Sequence, residues 1–74
     1  MLLYPNPSKD VLEIQFEFAS AAVKIFDTQG KLIKQINNYS SASPIAIQAL
    51  KPGVYLVKIV KDNAMVTKRF VKIE

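Results

Sequence analysis

The sequence predicts an all-β protein, an immunoglobulin-like antiparallel β-sandwich of about seven short strands. Apolar and polar residues alternate at period two in runs of strand length, and turn signals rich in Pro, Gly, Asn and Asp separate these runs. No stretch favours a helix, and none approaches the ~20 apolar residues of a membrane-spanning helix. With 74 residues, the chain is expected to form one domain over residues 1–74. Trp and Cys are absent, so the likeness to antibody domains concerns architecture alone.

A strand at residues 54–60 organises the predicted sheet. It follows Pro52 and Gly53, which mark a turn because proline fixes its own φ and glycine accepts a positive φ. At period two, one face carries three residues that we expect in the core: Tyr55, Val57 and Ile59. The opposite face carries Lys58 and is therefore expected to meet water over part of its length.

Two strands and a stiff turn are predicted at the beginning of the chain. Residues 2–4 form a short apolar strand that ends at Pro5, Asn6 and Pro7, because these residues exclude both helix and interior strand. Residues 11–18 alternate cleanly, which makes them the clearest strand of the sequence. Their inward face is expected to hold four apolar residues: Leu12, Ile14, Phe16 and Phe18.

A β-hairpin is predicted next, after a connection at residues 19–21. Its two strands occupy residues 22–26 and residues 32–36. Asp27 and Gly30 define the turn between them, because Asp accepts backbone hydrogen bonds two residues on and Gly accepts positive φ. One carboxylate falls far short of a calcium-binding loop, so no metal site is expected there. The polar residues 37–43 are expected to form a mobile loop.

The remaining sequence predicts an edge strand, a core plug and a closing hairpin. Residues 44–48 form the edge strand behind a leading proline, and Leu50 fills the core. Residues 61–64 form a tight reversal before the last strand, residues 65–73. The facing of this last strand is ambiguous, because Phe70 lies between lysines on one face while the other combines aliphatic residues with an arginine. A bulge or an edge position would reconcile the two.

The composition argues against an enzyme. The chain has no His and no Cys, so it lacks the usual general base, the usual thiol nucleophile and the usual ligands of transition metals. No cofactor is expected. The six carboxylates are scattered among turns and strands, which leaves open a pair brought together by distant strands. No glycine-rich loop or other catalytic motif supports such a pair.

The net charge of +4 is concentrated in the last third of the chain. A basic surface is compatible with nucleic acid or an acidic membrane. Aromatic residues are not interleaved with the basic ones, however, as a stacking platform for bases would require. We therefore expect no nucleic-acid partner, and strand lysines that are solvated and that discourage aggregation between sheet edges.

Four motifs follow one another along the chain. They are residues 3–8 (Leu-Tyr-Pro-Asn-Pro-Ser) with residues 11–14; residues 23–27 with Gly30 and Lys31; residues 50–59, which contain Pro-Gly-Val-Tyr; and the basic and aliphatic residues 68–72. In this order and at this spacing the motifs resemble the C-terminal sorting domain, type A, of the bacterial type IX secretion system. The resemblance covers essentially the whole chain.

The resemblance implies an export signal with no catalytic activity of its own. Proteins of this class cross the inner membrane, fold in the periplasm and carry a small Ig-like domain at their C-terminus, which the outer-membrane type IX translocon and its shuttle protein read. A sortase-like peptidase then typically removes the domain, and the cargo is released or joined to the cell surface. The opening residues lack the features of a secretion signal, so an upstream cargo domain is expected before Met1.

The family's recognition determinants lie towards the C-terminus. The resemblance therefore implies these partner-binding residues: Gly53, Tyr55, Lys68, Arg69, Phe70, Val71 and Lys72. For the first two a structural role competes, since any such sandwich needs a turn glycine and a core tyrosine. Of the rest, we expect Lys68, Arg69 and Lys72 to make contacts, because an exposed last strand offers backbone groups and charge to an added strand. Other motif residues are expected to form turns: Pro5, Asn6, Pro7, Asp27, Gly30 and Pro52.

Two other functions remain open from the sequence. A permanent adhesion or carbohydrate-binding module would want exposed aromatic residues, for which the candidates are Tyr4, Phe26 and Tyr39. A structural spacer between domains would predict that the natural sequence continues past Glu74. An unpaired last strand is also compatible with a dimer formed by edge pairing.

Overall fold

The protein is described here from a computed structural model, which covers residues 2–4, 9–17 and 20–73. These residues form seven β-strands and no helix. The strands are β1 (Leu2–Tyr4), β2 (Val11–Gln15), β3 (Ser20–Asp27), β4 (Leu32–Ser40), β5 (Pro44–Ala46), β6 (Gly53–Lys61) and β7 (Ala64–Lys72). Within this described part, no helix is long and apolar enough to cross a membrane.

The strands form two antiparallel sheets, which confirms the predicted β-sandwich. The smaller sheet has the order β1-β2-β5, and the larger has the order β4-β3-β6-β7. β3 pairs with β6 over six residues without a shift, so the strand that organises the sequence lies in the middle of the larger sheet. β5 lies at the edge of the smaller sheet, as its leading proline predicts.

The core lies between the two sheets and consists of the residues that alternate inward. Leu12 and Ile14 contribute from β2, and the face of β6 that was predicted to be internal is buried throughout. The fully or nearly fully buried apolar residues are Leu12, Ile14, Ala21, Val23, Ile25, Tyr39, Ile45, Ile47, Tyr55, Val57, Ile59 and Phe70. Leu50 is partly buried against this cluster, in agreement with its predicted role.

Four predicted strand boundaries are wrong by two residues or more. β5 ends at Ala46 rather than at residue 48. β2 ends at Gln15 rather than continuing to residue 18, and Phe16 lies beyond it, partly buried against the core. β3 already begins at Ser20, within the expected connection. The polar stretch 37–43 was expected to be a mobile loop, yet β4 extends to Ser40. The predicted turn at residues 5–8 lies outside the described residues.

The polar stretch is ordered because Tyr39 is a core residue with two backbone partners. Only 3% of its surface is exposed. Its hydroxyl accepts a hydrogen bond from the Ile14 amide at 2.9 Å and donates one to the Ser43 carbonyl at 2.5 Å. Next to it, the Ser41 hydroxyl accepts from the Phe16 amide and donates to the Phe16 carbonyl, at 2.9 and 3.1 Å. These bonds fix the end of β4 against β2, in the other sheet.

The turns of the larger sheet follow the predicted chemistry. A carboxylate oxygen of Asp27 accepts hydrogen bonds from the amides of Gln29 and Lys31, each at 2.9 Å, and Gly30 has a φ of 86°. In the closing hairpin the last paired residues of β6 and β7 are Lys61 and Ala64, so the turn has two residues, of which Asp62 has a φ of 54°. Both turns therefore use residue types that tolerate positive φ.

Candidate recognition surface

The sequence places its candidate partner-binding residues on the hairpin of β6 and β7. The two strands pair continuously from Gly53 opposite Lys72 to Lys61 opposite Ala64, with no shift in register. β7 is the edge strand of its sheet, which is one of the two solutions that its ambiguous facing allowed. Among the described strands it pairs with β6 alone, so it forms one edge of the described sheet.

The first half of β7 is exposed even on the side that faces the smaller sheet. Met65 is 61% exposed and Val66 41% exposed, and Lys68 and Arg69 are exposed as well. Val66 lies opposite the buried Ile59, so its side chain lies on the inner face of the sheet. It remains accessible because the strands of the smaller sheet have only three to five residues. The hairpin therefore projects beyond the core.

The second half of β7 belongs to the core. Phe70 has no exposed surface, and its ring stacks on Tyr55, with 5.4 Å between the ring centroids and 21° between the planes. The Tyr55 hydroxyl donates a hydrogen bond to the Lys51 carbonyl. Tyr55 and Phe70 therefore hold the two strands together, and neither ring is available to a partner in the folded domain.

Lys72 is not the exposed residue that was expected. Only 6% of its surface is accessible, and its ammonium donates a hydrogen bond of 2.8 Å to the carbonyl of Ile73. Its place opposite Gly53 puts it on the inner face of the sheet, two residues after Phe70. Val71, on the outer face, is half-buried. The charges that the last strand exposes are thus Lys68 and Arg69.

Gly53 lies where β6 begins, with a φ of 154°. Side chains rarely adopt this φ, which favours glycine at this position. A methyl group added here would meet no atom within 4 Å, so the requirement concerns the backbone conformation rather than space. Pro52 precedes it in an exposed bend. Gly53 is thus the first residue of a paired strand, and the bend lies just before it, at Pro52.

The structure also brings together two motifs that the sequence keeps apart. Asp27 pairs directly with Tyr55, so the turn at residues 27–31 lies beside the start of β6. Between them is an open concavity of about 310 Å³. Its lining comes from both motifs, from the segment before Pro52 and from the start of β4: Asp27, Lys31, Ile33, Ala49, Leu50, Lys51 and Tyr55. Periodicity within single strands could not reveal this site, because it depends on the register between β3 and β6.

The described residues include no cluster of metal-ligating type. No group of three or more His, Cys, Asp or Glu among them could hold a metal ion. Every buried side-chain nitrogen or oxygen in the described part of the chain has a hydrogen-bond partner. The arrangement offers a partner an exposed strand, charges and apolar surface.

The aromatic residues that a carbohydrate-binding module would use do not form a platform. Tyr39 is buried, which corrects the expectation that it is exposed. Phe26 is half-buried, and the Lys58 ammonium lies 5.2 Å from its ring centroid. Tyr4 lies on β1, in the other sheet, and is 37% exposed.

Comparison with known protein families matches residues 2–74 to the family described as secretion system C-terminal sorting domain. The match spans all seven strands and all four motifs that carry the resemblance. The chain belongs to the type IX secretion C-terminal sorting domain family. No curated protein matches the chain.

Family membership gives the sorting domain its general role. It is a C-terminal sorting signal of type IX secretion, and its family is not an enzyme family. The role implies interaction with the type IX secretion machinery and export through the periplasm to the cell surface or the outside.

Proposed function

We propose that this chain is a folded export label that the outer-membrane translocon and its shuttle protein read through the β6–β7 hairpin. The label acts as one domain over residues 1–74, behind an upstream cargo domain. A sortase-like peptidase supplied by the secretion machinery then removes it. The observation that carries the proposal is the exposure of β7 from Ala64 to Arg69 at the edge of the described sheet.

Two kinds of contact support recognition by strand addition. The outer edge of β7 offers backbone donors and acceptors in regular order, which gives affinity without a deep pocket. Lys68 and Arg69 project from adjacent positions of this strand, hence to opposite faces of the sheet. A partner strand added to β7 would therefore pass Lys68 on one face of the sheet and Arg69 on the other.

The buried half of β7 determines how this proposal can be tested. Removal of residues 68–74 would take Phe70 out of the core and unfold the domain, so a loss of export would not be informative. Lys68→Glu changes an exposed side chain opposite Val57 and leaves the stack of Tyr55 and Phe70 intact. It reverses the charge at this position without removing any core contact.

The experiment uses a reporter protein with an inner-membrane export signal at its N-terminus and this chain at its C-terminus. In a bacterium with a type IX system, Lys68→Glu is expected to reduce the exported fraction at least several-fold. A partner surface that complements Lys68 is negatively charged, and like charges across an interface cost several kcal/mol. Lys9→Glu, at an exposed position before β2, is the matched control and should be exported normally. Normal export of Lys68→Glu would contradict docking through this edge.

The same edge also supports pairing between two copies of the chain. A dimer through β7 would compete with the translocon for one surface. In such a dimer, the carboxylates that Lys68→Glu introduces on the two copies would lie close together only in one register of pairing. The molecular mass of the purified, unchanged chain is therefore the direct test. A monomer at micromolar concentration would argue against an edge-strand dimer.

A further inference from the structure

The outer face of the larger sheet carries cations and apolar residues. It is the face turned away from the core, and its positions alternate with buried ones along β3 and β6. Phe26, Leu56 and Leu32 lie side by side at one level of this face, followed on β7 by Arg69. None of the residues that the strand registers place on this face is Asp or Glu.

Two lysines face each other in the middle of this surface. Lys24 on β3 lies directly opposite Lys58 on β6, and both are half-buried. Their neighbours on the same row are uncharged: Gln35 on β4 and Thr67 on β7. Like charges directly opposite each other on a sheet are destabilising, and here no carboxylate position of the same face offsets them.

Lys58 relieves part of this repulsion by leaning onto Phe26. Its ammonium lies 5.2 Å from the centre of the ring, a distance at which a cation is attracted to the aromatic face. The contact keeps one positive charge over an apolar part of the surface. The result is a cationic and apolar patch, defined by Lys24, Lys58, Phe26 and Leu56.

We propose that this patch docks an acidic, partly apolar protein surface of the secretion machinery. The inference rests on the proposed function and adds a second recognition face to the hairpin edge. A carboxylate placed between Lys24 and Lys58 would neutralise a repulsion that the free domain retains. Apolar side chains next to that carboxylate would cover Phe26 and Leu56. In the free domain Lys24 and Lys58 therefore repel each other, and a carboxylate of an acidic partner would pair with both charges.

The geometry favours a protein over a membrane or a second copy. Lys24 and Lys58 lie on the two central strands of the sheet, so Phe26 and Leu56 lie beside charges and do not belong to a continuous apolar face of the kind that inserts into a membrane. A second copy would bring the same positive charges onto this face and would be repelled. An acidic protein surface is the occupant whose charge complements the patch.

Lys24→Glu tests the proposal, because the new carboxylate lies opposite Lys58 and leaves the contact between Lys58 and Phe26 in place. Lys34→Glu is the matched control. It makes the same change in net charge at an exposed position opposite the inward-facing Ile25. The two variants are compared in the reporter fusion, by exported fraction, and as purified chains, by chemical denaturation. Lys24→Gln, which removes the charge without reversing it, is the third variant.

The expected result separates stability from export. Lys24→Glu should be at least as stable as the unchanged chain, since it replaces a repulsive pair by an attractive one. Its exported fraction should nevertheless fall about tenfold or more, with a smaller loss for Lys24→Gln and none for Lys34→Glu. Normal export of Lys24→Glu would overturn the inference, and so would an equal loss in Lys34→Glu.

A vesicle experiment decides between a protein and a lipid occupant. The purified chain is sedimented with vesicles containing phosphatidylglycerol. Absence of binding supports a protein partner, whereas binding that Lys24→Glu abolishes would assign the patch to a membrane and overturn the proposal. If the unchanged chain directs no export at all, the proposed function fails and the inference fails with it. If the unchanged chain directs export and Lys24→Glu is exported equally well, the proposed function stands and the inference alone fails.

Discussion

Tyr55 and Phe70 stack across the hairpin of β6 and β7, with 5.4 Å between their ring centroids. The pair joins a strand in the middle of the larger sheet to its edge strand, and the Tyr55 hydroxyl ties the pair to the Lys51 carbonyl. The same strand that stabilises the core through Phe70 exposes Lys68 and Arg69 next to it. One short strand thus serves both folding and recognition.

Phe70→Ala should destabilise the domain by about 3–5 kcal/mol, because it removes a fully buried ring and leaves a cavity. The change in the free energy of unfolding can be measured by chemical denaturation of the purified chain. Thr67→Ala, at an exposed position of the same strand, is the control and should change it by less than about 0.5 kcal/mol. Equal costs for the two variants would show that Phe70 is not in the core.

Tyr39→Phe should cost about 1–3 kcal/mol, although it removes a single oxygen atom. The loss leaves the buried Ile14 amide without its acceptor and the Ser43 carbonyl without its donor. Tyr4→Phe makes the same change at an exposed position of β1 and is the matched control. A Tyr39→Phe domain as stable as the control would mean that the phenol does not join the two sheets.

Tyr39 also predicts a loss of stability at alkaline pH. Burial raises the pKa of Tyr39 above its ordinary value of 10.0, and the hydrogen bond from Ile14 only partly opposes this effect. As the pH rises above 10.0, the unfolded chain loses the phenolic proton first while the folded chain retains it. The contribution is therefore fully present below that pH and is lost as the pH rises through the raised pKa. Denaturation midpoints on both sides of that pH should show a steeper alkaline decline in the unchanged chain than in Tyr39→Phe.

Gly53→Ala should destabilise the domain by about 1–3 kcal/mol through backbone strain, since its φ of 154° is one that side chains rarely adopt. No steric contribution is expected, because the added methyl group has open space around it. If the role of Gly53 is conformational, export should fall only as far as the folded fraction falls. A stable, fully folded Gly53→Ala chain that is not exported would instead make Gly53 a contact residue.

The sequence predicted those parts of the fold that short-range periodicity determines. The alternation in β2 and β6 placed Leu12, Ile14 and Val57 correctly in the core, and the residue types of the turns at Asp27 and Asp62 predicted both reversals. Tyr39 was missed because its partner, the Ile14 amide, lies 25 residues away. The Asn and Ser residues next to Tyr39 predict a loop. Its burial depends on tertiary hydrogen bonds that the local sequence does not show.

The candidate site could be predicted only in part, for the same physical reason. Exposure of Lys68 follows from its place on the last strand, whereas burial of Lys72 follows from its register opposite Gly53. The opposition of Lys24 and Lys58 depends likewise on the pairing of β3 with β6. Each strand taken alone shows an outward lysine, and the repulsion appears only when the two strands are aligned.

The most direct test of the account is the location of a reporter fused upstream of residues 1–74, in a bacterium with a type IX system and in the same strain without its translocon. If the chain is a folded export label, the reporter leaves the cell only when both the chain and the translocon are present, and it accumulates in the periplasm otherwise. A reporter that is exported equally well without the chain, or that stays in the periplasm with a folded chain and an intact translocon, would contradict the account.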